Sequence, residues 1–468
     1  MANPSKSRAR SMKLVIFEGL LVAFACYLAA LTLQWVGLYV SANTVGTLIN
    51  TVLFTLAILI LNLSVGLYEQ SLREPFRGII RRIFVSAVMS YFGVAIVSSL
   101  LFDDTTEHYL HAPLSVAFII LALVSFRYFI QRTNSITDKP NLIVLGAGVR
   151  AAVIENRMRR VVDRVNFNLI AFIPVAGDQI EDGVKRENIC NIDIDKDLAE
   201  YIVNEDISEI VIANDQRRGT LPTDVLFEAR LKGVQITDLL DFMEREIGQI
   251  AVDLMYPSWV IYSNGFQTQK LFRKAADYWL NIFLAIVILF FTWPIMLITA
   301  LIIYIDDGRR TGAPILYRQQ RVGQNGKLFD ILKFRSMRPD AEKDGAKWAS
   351  KNDSRVTSIG AFIRKYRVDE LPQLLNVLRG EMSFIGPRPE RPEFVEQLIK
   401  EVPYYNQRHN VKPGLAGWAQ LNYPYGASVK DSLEKLKFDL YYVKHQSLLL
   451  DILILIRTTE VVLFGKGR

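Results

Sequence analysis

The chain has 468 residues, half of them hydrophobic, and a net charge of +7. That length allows two or three domains, and apolar surface is ample for a buried core. The positive balance does not point to nucleic acid, because long uncharged apolar runs interrupt it; a membrane accounts for it better. The two cysteines, Cys26 inside an apolar run and Cys190, exclude a disulfide framework and a spaced set of thiolate metal ligands.

Four apolar runs occupy the first third: Leu14 to Val40, Val45 to Tyr68, Ile79 to Phe102, and Pro113 to Ile130. Each reaches or approaches the roughly 20 residues a helix needs to cross the hydrocarbon, so residues 1–138 read as a four-helix transmembrane bundle. The first run is too long, and lacks the small-residue cleavage pattern, to be a removable signal peptide. Lys6, Arg8, Arg10 and Lys13 precede the first run, Arg73, Arg77, Arg81 and Arg82 lie between the second and third, and Arg127, Arg132 and Lys139 follow the fourth. The other two loops have no cations, which directs both ends of the bundle to the cytoplasm.

Residues 139–265 open with KPNLIVLGAGVRAAVIENRMRRV. The apolar strand Leu142 to Leu145 runs into Gly146 and Gly148 and then a helical pattern, as a nucleotide-binding βα turn begins. Ala151 or Ala152 replaces the third glycine, and no acidic residue plainly ends a second strand at the expected spacing. Further strands at Leu169 to Val175 and Glu209 to Ala213 still imply a small Rossmann-like α/β domain. A structural role for the glycine turn is favoured over a bound dinucleotide, because a lone glycine turn often occurs without a ligand.

Residues 266–468 form a third region, expected to be a mostly helical α+β domain. Its fifth apolar run, Trp279 to Ile305, carries Pro294 in the middle and cations on both sides: Lys270, Arg273 and Lys274 before it, Arg309 and Arg310 after it. A simple span would export the whole basic C-terminal region. The charge symmetry instead predicts a re-entrant helix, broken at Trp293 and Pro294, that returns to the same side.

Three segments then concentrate chemistry: LYRQQRVGQNGKLFDILKFRSMRPDAE, RKYRVDELPQLLNVLRGEMSFIGPRPERPEF and RHNVKPGLAGWAQLN. The adjacent acids Asp369 and Glu370 stand behind Arg364 and Arg367, where a helical pattern through Leu371, Leu374, Leu375 and Leu378 begins. The pair is open to two readings: an anionic reactive group among cations and helix amides, or a helix cap at Asp369 with Pro372 in the first turn. Lys333 and Arg335 alternate with apolar residues, so a strand would put both on one face, either toward phosphates or toward water. Pro387 and Pro389 fix the backbone around Arg388, which suits a guanidinium gripping phosphate, although a plain loop is the alternative. Trp418 reads as a buried anchor in preference to an aromatic at the membrane surface, and His409 as a structural histidine. The run SLLLDILILIRTTEVVLFGKGR reads either as a helix against the membrane or as a core helix.

In these segments the chain resembles the bacterial sugar transferases acting on polyprenyl phosphate, the monotopic phosphoglycosyl transferases, closely over Leu271 to Arg468. With the bundle, the α/β domain and YPSWVIYSNGF, it resembles the long form of that family. The resemblance implies transfer of a sugar 1-phosphate from a nucleoside diphosphate sugar, with uridine as the base, to polyprenyl (undecaprenyl) phosphate. Nucleoside monophosphate is released, and this is the initiating step of exopolysaccharide repeat-unit synthesis. It further implies Asp369 as a nucleophile forming a covalent aspartyl phosphosugar, Glu370 as the second catalytic acid, and Mg2+ at the pair. Lys333, Arg335, Arg364 and Arg388 would bind substrate phosphate. The bacterial inner membrane, a cytoplasmic catalytic domain and a possible homodimer complete the expectation. Small members commonly carry serine where this chain has Trp293. Attack on a diphosphate by a carboxylate needs cations and a metal to cancel repulsion, which the residue types supply. The rival functions are a membrane-tethered nucleotide sensor or redox protein working through the Rossmann-like domain, and a structural part of a polymer export complex. Neither requires the acid pair combined with Lys333, Arg364 and Arg388.

Overall fold

The computed structural model describes residues 4–36, 44–64, 67–68, 76–101, 106–133, 139–158, 164, 167–181, 183–215, 221–256, 259, 261, 263, 265–266, 271–341, 353–423, 426 and 428–463. They form two compact units, Met1–Ile247 and Gly248–Arg468. Arg73, one of the loop cations, lies outside the described residues.

In the first unit, four helices follow one another: α1 (Pro4–Trp35), α2 (Thr44–Ser64), α3 (Phe76–Leu101) and α4 (Thr106–Thr133). Val22, Cys26, Phe54, Ile58, Ile83 and Ile119 meet in their shared core. Large apolar side chains such as Phe17, Leu20, Phe24 and Phe92 face outward, which water would penalise and lipid would not. α1, α3 and α4 hold apolar stretches long enough to cross a membrane, at Leu14–Trp35, Gly78–Ala95 and Pro113–Ile130. The second expected span is helical over Thr44–Ser64, with Thr51–Leu63 as the described part of its apolar run. Glu18 is buried in α1, where it accepts bonds from Arg127 Nε and Tyr68 Oη, both at 2.5 Å. A carboxylate in an apolar bundle needs such partners, and these two tie α1 to α4 and to the turn that holds Tyr68, after α2.

The α/β part holds four parallel strands, β1 (Asn141–Leu145), β2 (Asn168–Ile173), β3 (Ile207–Ile212) and β4 (Gln235–Asp238), in the order β2-β1-β3-β4. The helices α5 (Val149–Arg157), α6 (Leu198–Asn204), α7 (Thr223–Leu231) and α8 (Leu239–Ile247) alternate with them. Strand runs such as LIVL in β1 and IVI in β3 are apolar, as strands covered on both faces tend to be. The order 2-1-3-4 is one of the two common doubly wound orders, and it places β3 beside β1, where the dinucleotide-binding order 3-2-1-4 would place it beyond β2.

The second unit begins at Gly248, so residues 248–265 belong with the C-terminal domain: Trp418 Nε1 donates to Gly248 O at 2.8 Å, and Ile250 N to Lys437 O. Trp418 is thus the buried anchor expected of it. Helix α9 (Leu271–Ile303) carries outward-facing Trp279, Phe283, Phe290 and Leu297. The expected break at Trp293 and Pro294 is corrected: both lie inside an uninterrupted α-helix that passes into a π-turn at Tyr304–Gly308. Proline removes one backbone bond, and a helix can absorb that loss without ending. Asn281 Oδ1 in α9 accepts from Ser383 Oγ at 3.0 Å and from Phe384 N at 2.7 Å, bonding the helix to the polar domain.

That domain contains the antiparallel pair β5 (Leu316–Val322) and β6 (Leu328–Phe334), then α10 (Ser358–Lys365), a 3-10 helix Val368–Gln373 and α11 (Leu374–Leu378). The parallel pair β7 (Ser383–Ile385) and β8 (Gly414–Ala416), with α12 (Pro392–Glu401), α13 (Val429–His445) and α14 (Leu448–Leu463), complete it. Gly386 and Gly414 let the β7 and β8 backbones close: a Cβ on Gly414 would stand 2.1 Å from Gly386 N. α14 is fixed to the domain through Asp451, which accepts from Tyr442 Oη at 2.8 Å and pairs with Arg273 at 3.3 Å.

A candidate active site at Asp369 and Glu370

Thr357 caps α10 by accepting from Gly360 N, and the helix ends just before Arg367. Arg367 takes a left-handed conformation, φ 58°, which a non-glycine residue adopts only under local constraint. The turn starts the 3-10 helix that carries the two acids and brings the Arg367 side chain back over Glu370, three residues on. Asn376, fully buried in α11, bolts this segment to β6: its Oδ1 accepts from Leu332 N at 3.1 Å, and its Nδ2 donates to Asp330 O at 2.8 Å. Lys333 is thereby set beside the acids.

The neighbours then divide sharply. Glu370 Oε1 receives Arg388 Nη2 at 2.7 Å, Arg367 Nη1 at 3.1 Å and Lys333 Nζ at 3.6 Å. Burial raises its carboxyl, but Arg388, Lys333 and Arg367 outweigh burial and hold it well below the ordinary range. Asp369 is 7 % exposed, and its Oδ1 has no hydrogen-bond partner among the described residues. Burial first and the Glu370 charge second push its carboxyl up to about 6, against the pull of Lys333, Arg364 and Arg367. Burial lowers Lys333 to about 8, opposed by Glu370. The capping reading of Asp369 falls: it lies in the first turn, Arg367 occupies the cap position, and no side chain caps that helix.

Of the residues expected at the site, Asp369, Glu370, Lys333 and Arg388 come together, with Arg364 acting on Asp369 from the last turn of α10. Arg335 follows the end of β6 and is buried, its amide donating to Ile315 O. Arg367 and Asn376 are the additions. Arg367 stood in the sequence beside the pair; nothing local distinguished Asn376. Among the described residues no group of three or more His, Cys, Asp and Glu could hold a metal ion. Mg2+ is commonly held by one or two carboxylates plus substrate phosphates, and the Asp369 carboxylate, whose two oxygens leave one free to react while the other coordinates, fits such a role. Glu370 Oε1, already occupied by three cations, does not. His409 is buried and kept neutral, burial lowering it to about 4, as a structural histidine would be.

The glycine turn after β1 is filled from within the chain. Asp215 accepts from Val149 N and Arg150 N, each at 2.9 Å, and Asp178 accepts from Ala147 N at 3.0 Å. Gly146 needs its φ of 129°, and a Cβ on Gly148 would stand 1.9 Å from Asp215 Oδ2. Carboxylates therefore occupy the amides a nucleotide phosphate would use, which removes the main support for the sensor reading.

A cation-flanked carboxylate pair on a domain bonded to a long apolar helix defines a membrane-associated class of protein with an anion-handling centre. The model of the bacterial sugar transferase family matches residues 272–465. An uncharacterized sugar transferase, EpsL, of Bacillus subtilis (strain 168) is 39% identical over 162 residues, covering 34% of this chain and 74% of that one. The chain belongs to the bacterial sugar transferase family. The UDP-N-acetylgalactosamine-undecaprenyl-phosphate N-acetylgalactosaminephosphotransferase of Aeromonas hydrophila is 47% identical over 174 residues, 37% of this chain and 40% of the relative. The UDP-glucose:undecaprenyl-phosphate glucose-1-phosphate transferase of Xanthomonas campestris pv. campestris is 33% identical over 283 residues, 58% of this chain and 56% of the relative. The chain thus spans about half the length of these two relatives or less.

Proposed function

We propose that the chain transfers a sugar 1-phosphate from a uridine diphosphate sugar to undecaprenyl phosphate by way of a covalent aspartyl intermediate, starting an exopolysaccharide repeat unit. The observation that carries this is the asymmetry of the acid pair: Glu370 is held by three cations while a buried oxygen of Asp369 is left unpaired. Asp369 Oδ1 attacks the β-phosphorus; the bond to the bridging oxygen breaks, and uridine monophosphate leaves with that oxygen. An oxygen of the lipid phosphate then attacks the same phosphorus and frees the Asp369 carboxylate. Arg388, Arg367 and Lys333 offset the negative charge that gathers when anions meet. Mg2+ held by Asp369 and substrate phosphates would supply further charge neutralisation at the phosphoryl group. The two named relatives act on different hexoses by their names, so the sugar is left to a donor panel that begins with UDP-N-acetylgalactosamine.

The same reading puts the domain in the cytoplasm and α9 in the bacterial inner membrane; return of both cation-flanked ends of α9 to one side would require the continuous helix to bend at Pro294 without losing its helical run. The test of the chemistry is to mix protein, magnesium and donor without lipid, trap quickly, and look for a sugar phosphate mass on the peptide containing Asp369. Uridine monophosphate should appear in equal amount, and Asp369→Asn should give neither. Release of the diphosphate, or turnover by Asp369→Asn near the parent rate, would refute the mechanism.

A further inference from the structure

The loop that presents Arg388 is gripped at four successive carbonyls. Pro387 O accepts from Gly414 N at 3.0 Å, Arg388 O from Arg408 Nη2 at 2.7 Å, Pro389 O from Arg321 Nη1 at 3.1 Å, and Glu390 O from Val322 N at 3.0 Å. Two of these donors are backbone amides. The other two are guanidinium groups reaching in from β5 and from a 3-10 turn at Tyr405–Asn410.

Arg408 is an expensive way to hold one carbonyl. It is 6% exposed, and its charge is met by Asp439 Oδ2 at 2.8 Å and by Tyr405 Oη at 2.7 Å, all within the domain interior. A buried ion pair of this kind contributes little net stability compared with apolar residues of the same volume, because both charges lose their water. Its remaining bond goes to the backbone of the residue whose own guanidinium lies 2.7 Å from Glu370 Oε1. Pro387 and Pro389 narrow the φ values on either side of Arg388, so a shift at its carbonyl passes directly to its side chain.

We propose that Arg408, oriented by Asp439 and Tyr405, is a positioning residue for the transfer reaction. It fixes the Arg388 carbonyl so that the Arg388 guanidinium stays on Glu370, and Arg321 supplies a second grip at Pro389. The inference rests on the transferase reading and extends it to residues that touch neither acid. The chain of contacts is Asp439 to Arg408, Arg408 to the Arg388 backbone, and the Arg388 side chain to Glu370. A lysine at 408 keeps the charge but cannot reach Asp439, Tyr405 Oη and the carbonyl together.

The experiment is a double-mutant cycle on the full-length protein in membranes, with labelled UDP-N-acetylgalactosamine or whichever panel donor the parent uses. Arg408→Lys, Arg388→Ala and the double variant are compared with the parent. Arg408→Lys should lower kcat tenfold or more with donor KM changed less than threefold, since a displacement of about 1 Å at a reacting centre can cost 10²-fold. On the Arg388→Ala background the same change should cost little more, because the group it positions is gone. A purely structural Arg408 would lose the same factor in both backgrounds, and that result overturns the inference. Should Arg408→Lys not fold, Tyr405→Phe and Arg321→Lys probe the two grips more gently, and the same rule applies: non-additivity with Arg388→Ala supports the proposal, additivity refutes it. A parent that releases no uridine monophosphate from any donor sinks the transferase reading itself. Additive losses in a parent that does turn over sink this inference alone.

Discussion

Replacing Asp369 by Asn should make the protein more stable, and replacing its neighbour Glu370 by Gln should make it less stable. The two acids differ in sign because their surroundings do. Asp369 rises from its ordinary 3.8 to about 6 in the folded domain, so its ionised form is destabilised by folding. That penalty is absent below about pH 4, grows as pH rises through about 6, and is complete above it. A rise of that size corresponds to roughly 2–3 kcal/mol at neutral pH. The group is buried, so solvent screening does not reduce the figure. Asn has the same shape without the charge, and in a domain of this size each kcal/mol is worth about 2–4 °C, so the melting temperature should rise about 4–12 °C at pH 7.5. Glu370 lies well below its ordinary value, held there by Arg388, Lys333 and Arg367 against the cost of burial. Its contribution is complete above the ordinary carboxylate range and is lost only as pH falls below that range toward its folded value; Glu370→Gln should therefore melt lower than the parent throughout pH 4.5 to 8. The assay is thermal unfolding of the detergent-solubilised full chain, followed by tryptophan fluorescence from pH 4.5 to 8 in EDTA, so that no divalent cation masks the charge. Destabilisation by Asp369→Asn, or a stability gain that does not vary with pH, would refute the division of roles drawn from the geometry.

Arg388→Lys keeps a charge near Glu370 but loses the fork; transfer should weaken with membrane insertion normal, and unchanged kinetics would remove Arg388 from the site. Asn376→Ala leaves Leu332 N and Asp330 O without their partner, so denaturant unfolding should show a loss on the order of 3 kcal/mol, with turnover falling as Lys333 drifts from the pair. Gly148→Ala must displace Asp215 from the amides it accepts, and a melting curve should show a loss of about 1–2 kcal/mol; turnover per folded molecule should stay at the parent level, a selective loss of turnover meaning instead that the turn serves a ligand. Cysteines placed at Lys274 and Arg310, on opposite sides of the apolar stretch of α9, should both react with an impermeant thiol reagent only from the cytoplasmic side. Reaction of either from outside would contradict re-entry.

What could be read from the sequence and what could not divide along one physical line. Apolar runs predicted α1, α2, α3 and α4, and an apolar run ending in Gly146 predicted β1, because burial and periodicity are local properties. The strand β4, Gln235–Asp238, escaped because only Ile236 in it is apolar. The filling of the glycine turn escaped for another reason: Asp178 and Asp215 lie 31 and 66 residues from the amides they occupy. A partial fingerprint looks the same whether a ligand or a distant carboxylate completes it.

The acid pair shows that limit at its sharpest. Two adjacent carboxylates behind cations are visible in RKYRVDELPQLL, yet nothing in those residues says which acid is engaged and which is free. The answer comes from Lys333 on a strand, Arg388 in a proline-fixed loop and Arg367 in a strained turn, all converging on one oxygen of Glu370. With that oxygen taken, burial and the Glu370 charge together outweigh the more distant pull of Lys333, Arg364 and Arg367 on Asp369, whose Oδ1 is left, among the described residues, an acceptor without a hydrogen-bond partner. The reactive asymmetry is thus a property of the partners and of whatever positions them. Losing any one partner should blur the difference between the two acids before it unfolds the domain, so activity should be more sensitive than stability to changes at Arg388 and at the residues that hold its loop.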